Sequence, residues 1–153
     1  MGRTDRASLL IHIDNAAVFA ALTDPNALTQ WLPPKGMQGR FEQFDMREGG
    51  SYRLVLTYDD ASGAPGKTSD DSDVSVVRVS QLIPGERIVQ EIDFESDDAA
   101  FQGTMQMEWI LHPVDEGTEV EIVARNVPDG IRARDHAEGL TSSLANLSAY
   151  LEP

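Results

Sequence analysis

The sequence feature that most restricts the fold is a long apolar seam near the C-terminus. Its members recur at spacings of three and four residues, and they are Ala137, Leu140, Leu144, Leu147 and Leu151. This is the period of one face of an α-helix. The spacing predicts a helix over 133–151 that is about 28 Å long at 1.5 Å per residue. A helix of that length can cross an entire curved sheet, so the rest of the chain is expected to supply one.

Alternating apolar and polar residues ahead of this helix predict strands. The alternation is clear in Ser51–Tyr58, and in Thr104–Leu111 it places two methionines and a tryptophan on one face. The predicted strands are 8–13, 39–45, 51–58, 74–83, 87–94, 104–111 and 118–125. Short turns such as Pro84-Gly85 join several of them, which favours antiparallel pairing.

Two short helices are predicted between the first and second strands. Asp14 is a suitable N-cap for a helix over 15–22. Thr23 or Asp24 is a suitable N-cap for a second helix that has Pro25 at its first position. This helix ends near Trp31 because Pro33-Pro34 cannot continue it. Seven strands with helices at two places predict one α+β domain over 8–152, preceded by an N-terminal tail over 1–7.

The segment from Asp59 to Asp73 is the one stretch of biased composition. It is polar and contains two glycines, a proline and five aspartates. Loops of this length are usually functional or disordered. Two interpretations stay open for it, a solvated hairpin tip and a lid over a binding site.

Charge and composition exclude several classes of function. The formal net charge of −14 disfavours nucleic acid and anionic membrane surfaces as partners. No run approaches the roughly 18 apolar residues of a membrane span. The sequence has no cysteine and only three scattered histidines, so we expect no disulfide, metal site or other cofactor. A cytoplasmic location fits this composition.

Several short motifs together resemble a known superfamily. Those shared with the superfamily at large are Trp31, Phe44-Asp45 and Gly49-Gly50-x-Tyr52. Those typical of a narrower bacterial branch are Gly66-Lys67-Thr68-Ser69-x-Asp71-Ser72-Asp73, Pro84-Gly85-Glu86-Arg87-Ile88-Val89, Asn126-Val127-Pro128-x-Gly130-Ile131 and Ser142-Ser143-Leu144-x-Asn146-Leu147. With these motifs the chain resembles the START-related helix-grip (SRPBCC) superfamily. Within it, the chain is similar to proteins that resemble the C-terminal domain of the activator of the heat-shock chaperone ATPase.

The resemblance implies a curved antiparallel sheet wrapped around the long C-terminal helix, with a cavity between them. The superfamily includes ligand carriers, cyclases and chaperone-binding domains, so the fold alone does not select a function. The sequence departs from many relatives at one place. They have a tryptophan directly after the helix glycine, whereas here Leu140 follows Gly139.

The candidate ligand-binding residues come from the strand faces, the first helices and the helix seam. They are Trp31, Phe41, Tyr52, Leu54, Ile92, Phe94, Met105, Met107, Trp109, His136, Gly139 and Leu140. Apolar walls with a few polar groups are typical of small-molecule sites. The alternative is that these residues are ordinary core, that His136 is bonded locally, and that Gly139 allows close packing of the helix on the sheet.

The sequence therefore favours binding of a small apolar or amphipathic molecule in the expected cavity. A second hypothesis is a co-chaperone-like domain that docks on a protein partner. A third is an enzyme of cyclase or hydrolase type that uses His136 and a tyrosine. No catalytic residue is assigned, because the chain has no GxSxG motif and no cysteine.

Overall fold

Seven antiparallel strands form a single sheet in the computed structural model, which describes residues 3–33, 36–58, 72–94, 99 and 103–152. The strands are β1 Arg3–Ile11, β2 Met37–Glu42, β3 Ser51–Tyr58, β4 Ser72–Ile83, β5 Arg87–Phe94, β6 Thr104–Val114 and β7 Gly117–Val127. Their order across the sheet is β1-β7-β6-β5-β4-β3-β2. The predicted α+β class and the curved seven-stranded sheet are confirmed.

In the described segments three helices accompany the sheet: α1 Asn15–Thr23, α2 Pro25–Trp31 and α3 Ala133–Leu151. The caps form as the sequence predicted. The side chain of Asp14 accepts a hydrogen bond from the backbone N–H of Ala17, and that of Asp24 accepts one from Asn26. Proline stands at the first position of α2, where a missing N–H is tolerated.

The first strand begins earlier than predicted, so the expected tail over 1–7 is wrong for its last five residues. Arg3 to Ala7 belong to β1 and pair with β7, with Arg3 opposite Val127. The sequence here is polar and shows no apolar alternation. It is a strand because β7 supplies backbone hydrogen bonds and because Arg3 and Asp5 neutralise each other across a 2.9 Å ion pair.

The long helix α3 runs in the same direction as β1 and is tied to it at both ends. His136 Nδ1 lies 2.7 Å from Asp5 Oδ2, and His12 Nδ1 lies 3.3 Å from Glu152 Oε1. The two spans match, since sixteen helical residues cover about 24 Å and seven strand residues cover about 23 Å. The helix therefore lies along the edge strand, and it also packs against α1 and α2.

The apolar interior has two parts on the inner face of the sheet. One contains Leu140, Leu144 and Leu147 of α3 together with residues of α1, α2, β1 and β7. The other is built from residues of β3, β4, β5, β6 and β7, together with Ile131. Ala137, the first residue of the predicted seam, is exposed, so the seam contacts the core only from Leu140 onward.

The loop predicted over 59–73 lies outside the described residues, except that Ser72 and Asp73 belong to β4. Both interpretations of that loop therefore remain predictions.

Candidate functional site

A cavity of about 220 Å³ lies between the inner face of β3–β6 and the first helices. Its volume is below the roughly 300–1,000 Å³ usual for ligand sites. Its wall consists of Leu22, Leu28, Trp31, Leu32, Tyr52, Leu54, Leu56, Ser75, Val77, Ile88, Gln90, Ile92, Phe94, Met105, Met107, Trp109 and Ser143. Residues of both apolar clusters contribute to it, so the cavity separates the two halves of the core.

Eight of the twelve candidate residues lie in this wall. They are Trp31, Tyr52, Leu54, Ile92, Phe94, Met105, Met107 and Trp109. A ninth candidate, Phe41, stands behind the wall, where its ring meets that of Tyr52 edge-on at 5.1 Å between centroids. The period-two alternation of β3, β5 and β6 brings these side chains to one face of the sheet.

The three candidates from α3 do not line the cavity, which corrects the prediction that the last helix faces it there. His136 contacts Asp5, Leu140 packs in the core cluster around α1 and α2, and Gly139 is exposed. A methyl group added at Gly139 would meet no atom within 4 Å. The reason is the placement of α3 over β1, which leaves Ser143 as its only residue in the wall.

Several wall residues were missed by the sequence analysis. They are Leu22, Leu28, Leu32, Leu56, Ser75, Val77, Ile88, Gln90 and Ser143. A signal existed for Gln90, because it falls on the same face as Ile88, Ile92 and Phe94 in the alternation of β5. A glutamine at an inward position of an otherwise apolar face is a buried polar group that needs a partner.

The two tryptophans of the chain form one corner of the cavity. Their rings meet edge-to-face with centroids 5.8 Å apart. The indole N–H of Trp31 donates to the backbone carbonyl of Ala21 at 2.9 Å, which fixes α2 against α1. The polar end of Trp31 is therefore already satisfied, and its ring presents an apolar surface.

Tyr52 is the most constrained polar residue of the wall. Its ring stacks on Phe44 at 5.2 Å, and its hydroxyl oxygen accepts a hydrogen bond of 3.0 Å from Gln90 Nε2. Burial raises the pKa of Tyr52 to about 12, although the bond from Gln90 acts in the opposite direction. The phenol is therefore protonated and neutral throughout the physiological pH range.

Among the wall residues that the structure describes, none has a charged side chain. The hypothesis of an enzyme requires His136 and a tyrosine to meet inside the cavity. His136 instead contacts Asp5 on β1 and does not line the cavity, so the structure does not support this pairing. In the part of the chain that the structure describes, no group of three or more potential ligand residues could hold a metal ion. What the cavity offers is apolar contact and a few neutral hydrogen-bonding groups.

Comparison with known proteins identifies the family. Residues 13–152 match the family described as Activator of Hsp90 ATPase homolog 1-like protein. The chain belongs to this AHSA1-like family. A protein of known crystal structure from Chromobacterium violaceum is 33% identical, with a TM-score of 0.86 over 98% of this chain and 97% of the other.

More distant AHSA1-like and related structures share the fold. A protein from Rhodobacter sphaeroides is 22% identical with a TM-score of 0.79, over 98% of this chain and 93% of the other. An AHSA1-like protein from Aeromonas hydrophila is 14% identical with a TM-score of 0.77, over 98% and 92%. These two likenesses show the shared fold, and the family match together with the 33% identical structure confirms the predicted helix-grip superfamily.

No curated protein matches the sequence. AHSA1-like and other helix-grip domains commonly bind ligands or interact with partners. Within the described segments, no helix has the length and apolar content that crossing a membrane requires.

Proposed function

We propose that this protein binds a small apolar or amphipathic molecule in the cavity between the sheet and the helices. The observation that supports it is the cavity itself, a volume of about 220 Å³ lined mostly by apolar side chains, many of them buried. Concave, mostly apolar pockets with a few polar groups are typical of small-molecule sites. The cavity between the sheet and the helices has this composition, which favours a ligand in it.

The size of the cavity limits the ligand. An engineered apolar cavity of about 150 Å³ binds benzene. A cavity of about 220 Å³ therefore suits a ring with several added carbons, or a compact bicyclic molecule. A long fatty acid exceeds this volume and would have to extend out of the cavity or displace part of its wall.

The co-chaperone-like alternative needs an exposed apolar patch. Among the described residues, the exposed large apolar side chains are Leu9, Val114 and Tyr150, which belong to β1, β6 and α3. No contiguous docking face is evident from these three residues, so the ligand-binding proposal takes precedence.

Tryptophan emission gives a direct test, because both tryptophans lie in the wall. Titration with naphthalene should produce a saturable change in emission and should raise the melting temperature. Native mass spectrometry of freshly purified protein would identify any natural occupant.

A matched pair of variants locates the binding. Val77 points into the cavity, whereas its neighbour Val76 pairs with Asp93 on the opposite face of the same sheet. Val77→Phe should fill the space and weaken naphthalene binding at least tenfold, while Val76→Phe should leave it within about twofold. Equal affinities in the two variants, or no saturable change in the original protein, would contradict the proposal.

A further inference from the structure

Two buried polar side chains stand next to each other in the mostly apolar wall. Tyr52 is 5% exposed and Gln90 is 6% exposed, and both line the cavity. They lie on β3 and β5, on either side of β4, and both point to the inner face of the sheet. Gln90 Nε2 donates to the Tyr52 hydroxyl oxygen across 3.0 Å.

This bond uses only part of the hydrogen-bonding capacity of the pair. The phenol of Tyr52 keeps its O–H donor, and the amide of Gln90 keeps its carbonyl acceptor. Among the residues that the structure describes, each of these two side chains has the other as its only hydrogen-bond partner. Buried polar groups normally find partners, and leaving them without one is costly. The remaining donor and acceptor are therefore available to a molecule in the cavity.

The position of the Tyr52 hydroxyl is set by its aromatic neighbours. Phe44 stacks on one face of the ring at 5.2 Å, and Phe41 meets it edge-on at 5.1 Å. Both phenylalanines also meet each other, with centroids 4.8 Å apart. A ring held in this way presents its hydroxyl at a fixed point, which lowers the entropy cost of binding a ligand there. The pKa of about 12 keeps that hydroxyl a donor at neutral pH.

We infer that the ligand is a neutral apolar molecule of one or two rings that carries a carbonyl group, and that the Tyr52 hydroxyl donates a hydrogen bond to this carbonyl. The inference rests on the proposed function and adds the polarity of the ligand to it. A carboxylate does not suit the site, because the described residues of the wall include no Lys, Arg or His and the chain carries a net charge of −14. Burying an unpaired carboxylate in such a wall would be strongly unfavourable.

The test compares two probes of nearly equal shape. Acetophenone carries a C=O group where α-methylstyrene carries C=CH₂, and both fit the size limit of the cavity. Their dissociation constants are measured by isothermal titration calorimetry at pH 7 with the original protein, with Tyr52→Phe and with Tyr150→Phe. The last is the matched control, because Tyr150 is an exposed tyrosine of α3 outside the wall.

The ratio of the two affinities measures the contribution of the hydrogen bond, because both probes make nearly the same apolar contacts and those contributions cancel. Tyr52→Phe should reduce the preference for acetophenone about tenfold, and Tyr150→Phe should leave it unchanged. Benzoate should not bind detectably. If both probes bind and their ratio is the same in all three proteins, the inference is overturned and the proposed function stands. If neither probe binds the original protein, both fail.

A measurement on the original protein covers the case in which Tyr52→Phe does not fold. The infrared carbonyl stretch of bound acetophenone should lie at lower frequency than in hexane, because a donated hydrogen bond weakens the C=O bond. A hexane-like frequency would overturn the inference.

Discussion

Two contacts between β1 and α3, one buried and one exposed, allow a prediction about how much each contributes to stability. The carboxylate of Asp5 accepts a hydrogen bond of 2.9 Å from Arg3 Nε and lies 2.7 Å from His136 Nδ1. The side chains of Asp5 and His136 are each 11% exposed. At the other end of the helix, the His12–Glu152 pair is 3.3 Å apart and the His12 side chain is 63% exposed.

Asp5→Asn should therefore cost far more stability than His12→Gln. Hydrogen bonds to charged groups contribute about 1.5–3 kcal/mol, and asparagine keeps one acceptor oxygen, so we expect a loss of about 2 kcal/mol. In a domain of this size that lowers the melting temperature by about 4–8 °C. For His12→Gln, which removes the exposed pair, we expect a loss of less than about 0.5 kcal/mol. Urea denaturation at pH 7 measures both free energies of unfolding, and equal losses would refute this reasoning.

The stabilisation that Asp5→Asn removes should also depend on pH. The hydrogen bond from Arg3, with a smaller contribution from His136, holds the pKa of Asp5 below its usual value, although burial opposes them. The unfolded carboxyl has a pKa near 3.9. Its stabilising contribution is thus present above about pH 4 and is lost as the pH falls through the lower folded pKa. The difference in free energy of unfolding between the original protein and Asp5→Asn should narrow as the pH falls below about 4, and a constant difference would contradict this assignment.

Two further substitutions test other parts of the structure. Gly139→Ala should raise the free energy of unfolding by up to about 1 kcal/mol, because the added methyl group enters open space on a helix, and it should leave naphthalene affinity unchanged. Weaker naphthalene binding by that variant would indicate that Gly139 lines the cavity after all. In alkaline solution, the free energy of unfolding of the original protein should fall by about 3 kcal/mol relative to that of Tyr52→Phe between pH 10 and pH 12. The reason is that the phenol has a pKa near 10 in the unfolded chain and a pKa of about 12 when buried. Parallel pH profiles in urea denaturation would show that the hydroxyl is not buried.

The sequence was sufficient wherever local pattern decides structure. The bounds of α3, β3 and β5 follow from periodicity alone, and the caps of α1 and α2 follow from Asp14, Asp24 and Pro25. Most of the strand-derived cavity wall could be predicted as well, because the pleat places alternate residues on one face.

The sequence was insufficient where a distant partner decides structure. Nothing in the polar segment from Arg3 to Arg6 indicates a strand, since its partner β7 lies more than a hundred residues away. The same applies to the placement of α3. Its seam shows which side is buried but not which strand it lies on, and the contact from Asp5 to His136 sets that position. The prediction that Gly139 faces the cavity failed for this reason.

The pairing of β1 with β7 has a consequence for how the protein is made. Residues 3–11 leave the ribosome before their partners in 117–127, which follow more than a hundred residues later. At about 5–20 residues per second, that delay is roughly 5–20 s. During it, the backbone groups of β1 lack the strand that satisfies them, and helix α3 has not yet been synthesised to cover it. The domain can therefore complete its folding only after β7 and α3 have been synthesised, and β1 is the strand that waits longest for its native contacts.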